Sequence, residues 1–337
     1  MDAELIAGDA LSADVQAFAD VQADKEEELL SKDNVVGVGL AHKVTKGVDT
    51  GDLAIAVLVR NKVDKALLSD EAKIPATVSR KKTDVVEVGT LFAGGAAEAI
   101  EADVSEVVAQ DVTALNLVQR VRPAMGGYSI GHYRITAGTA ATGAYELTPF
   151  PAEPARYYIL SNNHVLANSN NSRLGDPILQ PGPHDGGRYP NDFIGRLARF
   201  VPIEFNNGKC NYVDAAIAET RFEWFTREVY YIGYAASLWT PAQVGMIVKK
   251  TGRTTSFTTG KVNVINATVN VNYGGGKIAK FCRQIVTSDM SAPGDSGSLV
   301  LDQQNNPVGL LFAGSSVVTI LNPINYVQGL LRIRLWP

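Results

Sequence analysis

Ser296 lies in the stretch Gly294-Asp295-Ser296-Gly297-Ser298. Glycines on both sides permit backbone angles that a Cβ forbids. The chain can therefore turn tightly, present the hydroxyl and aim backbone N–H groups at whatever that hydroxyl attacks. Such donors are worth roughly 3–4 kcal/mol each in acyl transfer. A plain hairpin turn uses the same residue types, so the remaining groups must decide. A serine hydroxyl is a poor nucleophile until a nearby base with a pKa near 7 takes its proton, which selects histidine. That histidine needs an acceptor on its other nitrogen, which selects a buried carboxylate. Both are present in strand-end settings. His164 follows the apolar run Ile159-Leu160 and the polar Ser161-Asn162-Asn163, and Asp214 heads the apolar run 215–218. The candidate catalytic residues are His164, Asp214 and Ser296.

Rival groups are weaker candidates. Asp176, Asp185 and Asp192 lie in Gly/Pro-rich segments after His164, where aspartate usually makes local turn bonds. His184 lies in a turn and His132 on a predicted strand, and both are expected to be structural or exposed. His42, the first histidine, is expected to be a surface or packing residue. The four histidines are too widely spread for metal-ligand spacing. No metal and no cofactor are expected. Gly274-Gly275-Gly276-Lys277 is not a phosphate loop, because Ile278 stands where Ser or Thr would bind magnesium.

The elements that must position these groups divide the chain into three parts. Residues 1–95 read as a small α+β unit: a helix over 1–32, strands over 35–44 and 53–59, a helical segment over 64–73, and short strands near 78 and 85–88. Residues 96–122, rich in Ala, Glu and Val, read as a helical connector. From residue 123 to 337, short apolar runs alternate with Gly, Asn, Pro and Thr, as in a sandwich or barrel. Strands are expected near 129–135, 157–161, 213–218, 245–250, 260–271, 278–287, 297–301 and 308–312. A hairpin turn is expected at 274–276, and a short helix after Pro323.

Composition excludes several classes. With a formal charge of -4 over 337 residues, the chain lacks the basic footprint of a nucleic-acid protein. No apolar run is long enough to span a bilayer. The acidic start Met1-Asp2-Ala3-Glu4 lacks the features of a signal peptide. Cys210 and Cys282 are the two cysteines. They could form one bridge, but the simplest expectation is two free thiols in a cytoplasmic protein.

At these motifs the sequence resembles the trypsin/chymotrypsin superfamily of serine endopeptidases, in its bacterial form. The segment 294–298 is similar to that family's nucleophile motif, 159–165 to its histidine strand, and 213–218 to its aspartate strand, with order and gaps in agreement. Thr136-Ala137-Gly138-Thr139, Thr251-Gly252-Arg253-Thr254-Thr255 and Thr259-Gly260-Lys261-Val262 resemble flanking strands of the two barrels. The resemblance covers roughly residues 125–330 and implies two six-stranded antiparallel β-barrels. It also implies a Ser-His-Asp mechanism through an acyl-enzyme, an oxyanion hole from the N–H groups of Gly294 and Ser296, and a protein or peptide as substrate. Met290, six residues before the serine, would floor the substrate pocket beside Ser291, with Ala313 and Gly314 as its wall. An apolar floor favours a small or medium apolar side chain, although Asp289 next to it would favour Arg or Lys if the register moved by one. Asp295 has no processed N-terminus to meet, and bacterial members satisfy this aspartate with internal groups. The N-terminal unit carries no chemistry and is expected to bind a partner or regulate access. A variant of that expectation is self-cleavage in the connector near Arg120 or Arg122. The alternatives are a catalytically silent binding module on the same fold, or a serine esterase.

Overall fold

A computed structural model describes residues 12–94, 117–135, 137–147 and 156–336. The connector expected over 96–122 therefore lies mostly outside the described residues. Helix Ala13–Leu30 begins at Ser12, whose hydroxyl accepts the Val15 N–H at 3.5 Å. It lays Phe18, Val21, Leu29 and Leu30 on Val38, Ile55 and Val57 of the hairpin formed by strands Val35–Thr45 and Val48–Val59. Strand Lys81–Glu87 pairs in parallel with Val48–Val59. The helical segment expected over 64–73 is a single 3-10 turn, Lys65–Leu67. All three of its residues are exposed. A short segment with no face to bury cannot repay helix nucleation.

The second barrel closes on itself. Strands Ser256–Asn272, Ile278–Ser288, Val318–Pro323, Pro307–Gly314, Leu299–Asp302 and Ile247–Gly252 pair antiparallel in that order, and the last pairs back to the first. The first barrel is a run of antiparallel strands in the order Thr142–Glu146, Tyr157–Ser161, Ala216–Thr220, Phe193–Phe200, Pro177–Leu179, Ser129–His132. Ile159, Ile178, Ile194, Leu197 and Ala218 fill one of its apolar clusters. The two barrels give the predicted mainly β architecture. After Pro323 the chain forms helix Ile324–Leu331, as expected.

The N-terminal hairpin is hydrogen-bonded to the second barrel. Val35–Thr45 pairs antiparallel with Ser256–Asn272, with Gly37 opposite Val269 and Ala41 opposite Val264. The helix adds two ties. Gln22 Nε2 donates to the Asn266 carbonyl at 2.9 Å, and Lys280 meets Glu26 at 3.0 Å.

The expectation of two free thiols is corrected. Cys210 and Cys282 form a disulfide, with Cα atoms 5.5 Å apart. The cause is tertiary: Cys210 pairs in parallel with Lys280 and brings the two sulfurs together across the sheet. Closing a loop across a 72-residue separation restrains the unfolded chain. Replacing both cysteines by serine should therefore cost about 4 kcal/mol, read from urea unfolding of the two proteins side by side.

Candidate active site

His164 sits in the one-turn helix Asn163–Leu166 that follows strand Tyr157–Ser161. Asn163 anchors that turn, its amide donating to the Val201 carbonyl at 2.7 Å and to Asn170 Oδ1 at 2.8 Å. Asp214, fully buried, lies just before strand Ala216–Thr220, which pairs with the histidine strand. Its carboxylate takes His164 Nδ1 at 2.5 Å on Oδ2 and the His164 backbone N–H at 3.1 Å on Oδ1. The backbone of Asp214 is fixed from both barrels. Its N–H donates to Asn322 Oδ1 at 3.0 Å, and its carbonyl accepts from Asn162 Nδ2 at 2.7 Å. Asn322 is held in turn by Gln284 at 2.7 Å.

Sequence reasoning missed a third donor. Tyr273 Oη donates to Asp214 Oδ2 at 2.7 Å. Burial, with the neighbouring carboxylate second, pushes its phenol well above the ordinary range, so it remains a neutral donor. Tyr273 stands at the end of a barrel strand beside a glycine turn, and nothing in that context marks it. Tyr273→Phe should lower kcat by about tenfold, because a hydrogen bond to a charged group is worth about 1.5–3 kcal/mol. It should also move the acid limb of the kcat/KM profile to higher pH, since the carboxylate facing the imidazole keeps its charge with one donor fewer. A merely structural role would leave that limb in place.

The serine turn is built as its glycines require. Gly294 and Gly297 have φ of +101° and +97°. A Cβ on Gly297 would lie 2.1 Å from the Thr139 carbonyl oxygen. The N–H groups of Asp295, Gly297 and Ser298 donate to backbone carbonyls, whereas those of Gly294 and Ser296 have no acceptor among the described residues. Thr139 N–H donates to the Ser296 carbonyl at 2.8 Å, so the first barrel grips the turn directly. No hydrogen bond joins Ser296 to His164. Ser296 Oγ donates weakly to the Phe312 carbonyl at 3.4 Å, and buried His164 Nε2 has no partner among the described residues.

Asp295 is met by internal groups. Lys250 Nζ lies 2.9 Å from Oδ2, with both side chains fully buried. Thr255 Oγ1 donates to Oδ2 at 2.5 Å, Ala292 N–H to Oδ2 at 3.1 Å, and Thr254 N–H to Oδ1 at 2.9 Å. Burial pulls the Lys250 ammonium below the ordinary lysine range, and the carboxylate works against that shift. Lys250 carries no sequence signal of its own, since it is the second of two adjacent lysines on a strand.

The rival acids and bases are engaged elsewhere. Buried His132 meets Asp176 at 3.1 Å. Asp185 accepts from Ser129 at 2.5 Å and from Arg253 at 2.8 Å, and Asp192 accepts the Arg188 N–H at 2.8 Å. Among the described residues no cluster of His, Cys, Asp or Glu has metal-binding geometry. Of the four pocket residues, Met290 packs with Val248, Val262 and Leu321 in the barrel core, and Ser291 Oγ is 2.7 Å from Thr319 Oγ1. Ala313 and Gly314 pair with the short strand Phe92–Ala93.

No protein-family model matches the chain. Glutamyl endopeptidase 2 of Streptomyces griseus is 28% identical over 186 residues, covering 54% of this chain and 78% of that protein. Serine protease 2 of Streptomyces fradiae is 42% identical over 77 residues, covering 23% of this chain and 36% of that one. Similar solved structures include Thermobifida fusca Protease A, at 14% identity and a TM-score of 0.43 over 62% of this chain and 96% of that one. Another is Cellulomonas bogoriensis chymotrypsin, at 18% identity and a TM-score of 0.42 over 63% and 97%. One sequence relative is named a glutamyl endopeptidase and the other a serine protease, and both are consistent with the trypsin/chymotrypsin-like serine protease family that the motifs resemble.

Proposed function

We propose that this serine endopeptidase works through Ser296, His164 and Asp214. Ser296 Oγ attacks the scissile carbonyl as its proton passes to His164 Nε2. The imidazolium then protonates the leaving amine, and water delivered by the same base releases the acyl group. Asp214 fixes the tautomer that leaves Nε2 free to accept. The N–H groups of Gly294 and Ser296 receive the oxyanion. The observation that carries this reading is the 2.5 Å bond from His164 Nδ1 to Asp214, with Nε2 unpartnered at the other edge of the ring. The serine must first turn from Phe312 to Nε2, and a 3.4 Å bond holds it back little.

For specificity, the proposal keeps a small or apolar residue at the bond cleaved, with Met290, Ser291, Ala313 and Gly314 forming the pocket. The relative named as a glutamyl endopeptidase offers the competing preference, and cleavage of a peptide library ranks the two. Residues 1–95 are proposed as the regulatory or partner-binding unit, supported by their strand pairing to the barrel. No described helix is long and apolar enough to cross a membrane. The cytoplasmic expectation rested on the acidic start, the lack of a membrane-spanning run and two free thiols. The Cys210–Cys282 disulfide supports an oxidising compartment instead. A fluorophosphonate tests the central assignment. It should label the wild-type chain once and leave Ser296→Ala unlabelled, and equal labelling of both would refute it.

A further inference from the structure

After strand Val48–Val59 the chain forms an arch. Residues 60–76 cross the N-terminal sheet, and their only regular element is the 3-10 turn Lys65–Leu67. The arch is pinned at both ends. Asn34 Nδ2 donates to the Asn61 carbonyl at 2.6 Å, and the Lys62 N–H donates to Glu87 at 2.7 Å. At the far end the Thr83 N–H donates to the Ala76 carbonyl at 3.1 Å. Lys32, just past helix Ala13–Leu30, holds the middle by donating to the Glu71 carbonyl at 2.5 Å. So long a segment with almost no secondary structure is uncommon in a compact fold, and such segments often form binding sites.

The arch does not close on the sheet. Under it lies a cavity of about 380 Å³, within the span of small-molecule sites, roughly 300–1,000 Å³. Its floor is Val35, Val59 and Val85 of three adjacent strands, and Leu68, Ala72 and Ile74 line it from the arch. The floor valines belong to the apolar cluster on which the helix packs, and the cavity opens where that helix ends, beside Asp33 and Asn34. None of Ser296, His164 and Asp214 lines it.

The rim is cationic. In a chain of formal charge -4, the cavity gathers Lys43, Lys62, Lys65 and Lys73 against two aspartates, Asp33 and Asp84. Two of the ammoniums are already neutralised: Lys43 meets Asp84 at 3.0 Å, and Lys73 meets Asp70 at 2.7 Å. Those of Lys62 and Lys65 are exposed and have no partner among the described residues, and they face only the exposed carboxylate of Asp33 in the balance of charge. An apolar floor under surplus positive charge selects a ligand that is apolar at one end and anionic at the other. We infer that this cavity binds a medium-chain aliphatic carboxylate, with its chain on the valine floor and its head group between Lys62 and Lys65. Burial of the chain supplies most of the affinity. The exposed ammoniums are worth little each, but they orient the ligand and reject a cation.

Isothermal titration of the full chain with decanoate, below its micelle concentration, tests this. Decanoate should bind one to one. Octanoate should bind about fifteenfold more weakly, the value of two buried methylenes, and decyltrimethylammonium should not bind. Reversing both free charges, Lys62→Glu with Lys65→Glu, should weaken decanoate about tenfold, the scale of two exposed charge contacts. Ala72→Phe, which enlarges a side chain on the cavity wall, should abolish binding. The lysine positions are exposed, so the charge-reversed variant should melt with wild type and keeps the test valid should Ala72→Phe fail to fold. Decanoate that does not bind wild type, or that binds either folded variant as it binds wild type, overturns the inference.

Discussion

Replacing Asp214 by asparagine should lower kcat about ten-thousandfold while leaving the fold intact. The size follows from how the carboxylate is wired. Oδ1 accepts the His164 backbone N–H at 3.1 Å, and Oδ2 accepts His164 Nδ1 at 2.5 Å and Tyr273 Oη at 2.7 Å. The backbone donor cannot be reversed, so the asparagine oxygen must take the Oδ1 position. Its NH2 then faces Nδ1, which must give up its proton and become the acceptor. The imidazole is left protonated on Nε2, the nitrogen that has to receive the serine proton. Because the amide matches the carboxylate in shape, the variant should unfold near the wild-type temperature. Steady-state kinetics on a peptide substrate and a thermal melt check both halves, and a fall in kcat below tenfold would refute the assignment of Asp214.

Lys250→Met should destabilise the protein by about 3–5 kcal/mol, the usual cost of stripping one partner from a buried ion pair. The Asp295 carboxylate would remain at zero exposure with only the Thr255 hydroxyl and backbone N–H groups for company. That carboxylate organises the turn that carries Ser296, so activity should fall along with stability. Adding Asp295→Asn should recover most of the stability, since the stranded charge disappears. It should not recover activity to the same degree, because the amide cannot accept all the donors that shape the turn. Urea unfolding of the wild type, the single variant and the double variant measures the coupling. A single variant as stable as wild type would show that Lys250 does not support the turn.

The nucleophile turn, the histidine strand and the aspartate strand were legible because each is a local motif. Glycines force the turn at 294 and 297, an apolar run ending in polar residues places His164 after its strand, and an apolar run headed by an acid places Asp214 before its own. The barrels were legible for a similar reason, as short β-rich runs separated by turn residues. Residues 64–73 misled because helix-favouring composition has no force without a surface to pack on. The cysteines misled because their spacing along the chain says nothing about two strands lying side by side.

The sequence by itself determined the groups on offer: a serine in a glycine-flanked turn, an imidazole and a strand-borne acid, in an order that two barrels can gather. Tertiary structure alone decided what surrounds them. Lys250 reaches Asp295 across 45 residues, Tyr273 reaches Asp214 across 59, and Asn322 holds the Asp214 backbone from a distance of 108. Each of these is an ordinary polar residue on an ordinary strand, and it gains its role only through the neighbour that barrel closure supplies. Hydrogen bonds and ion pairs act over a few ångströms, so chain-local patterns fix the groups that can react, while folding fixes which of them meet.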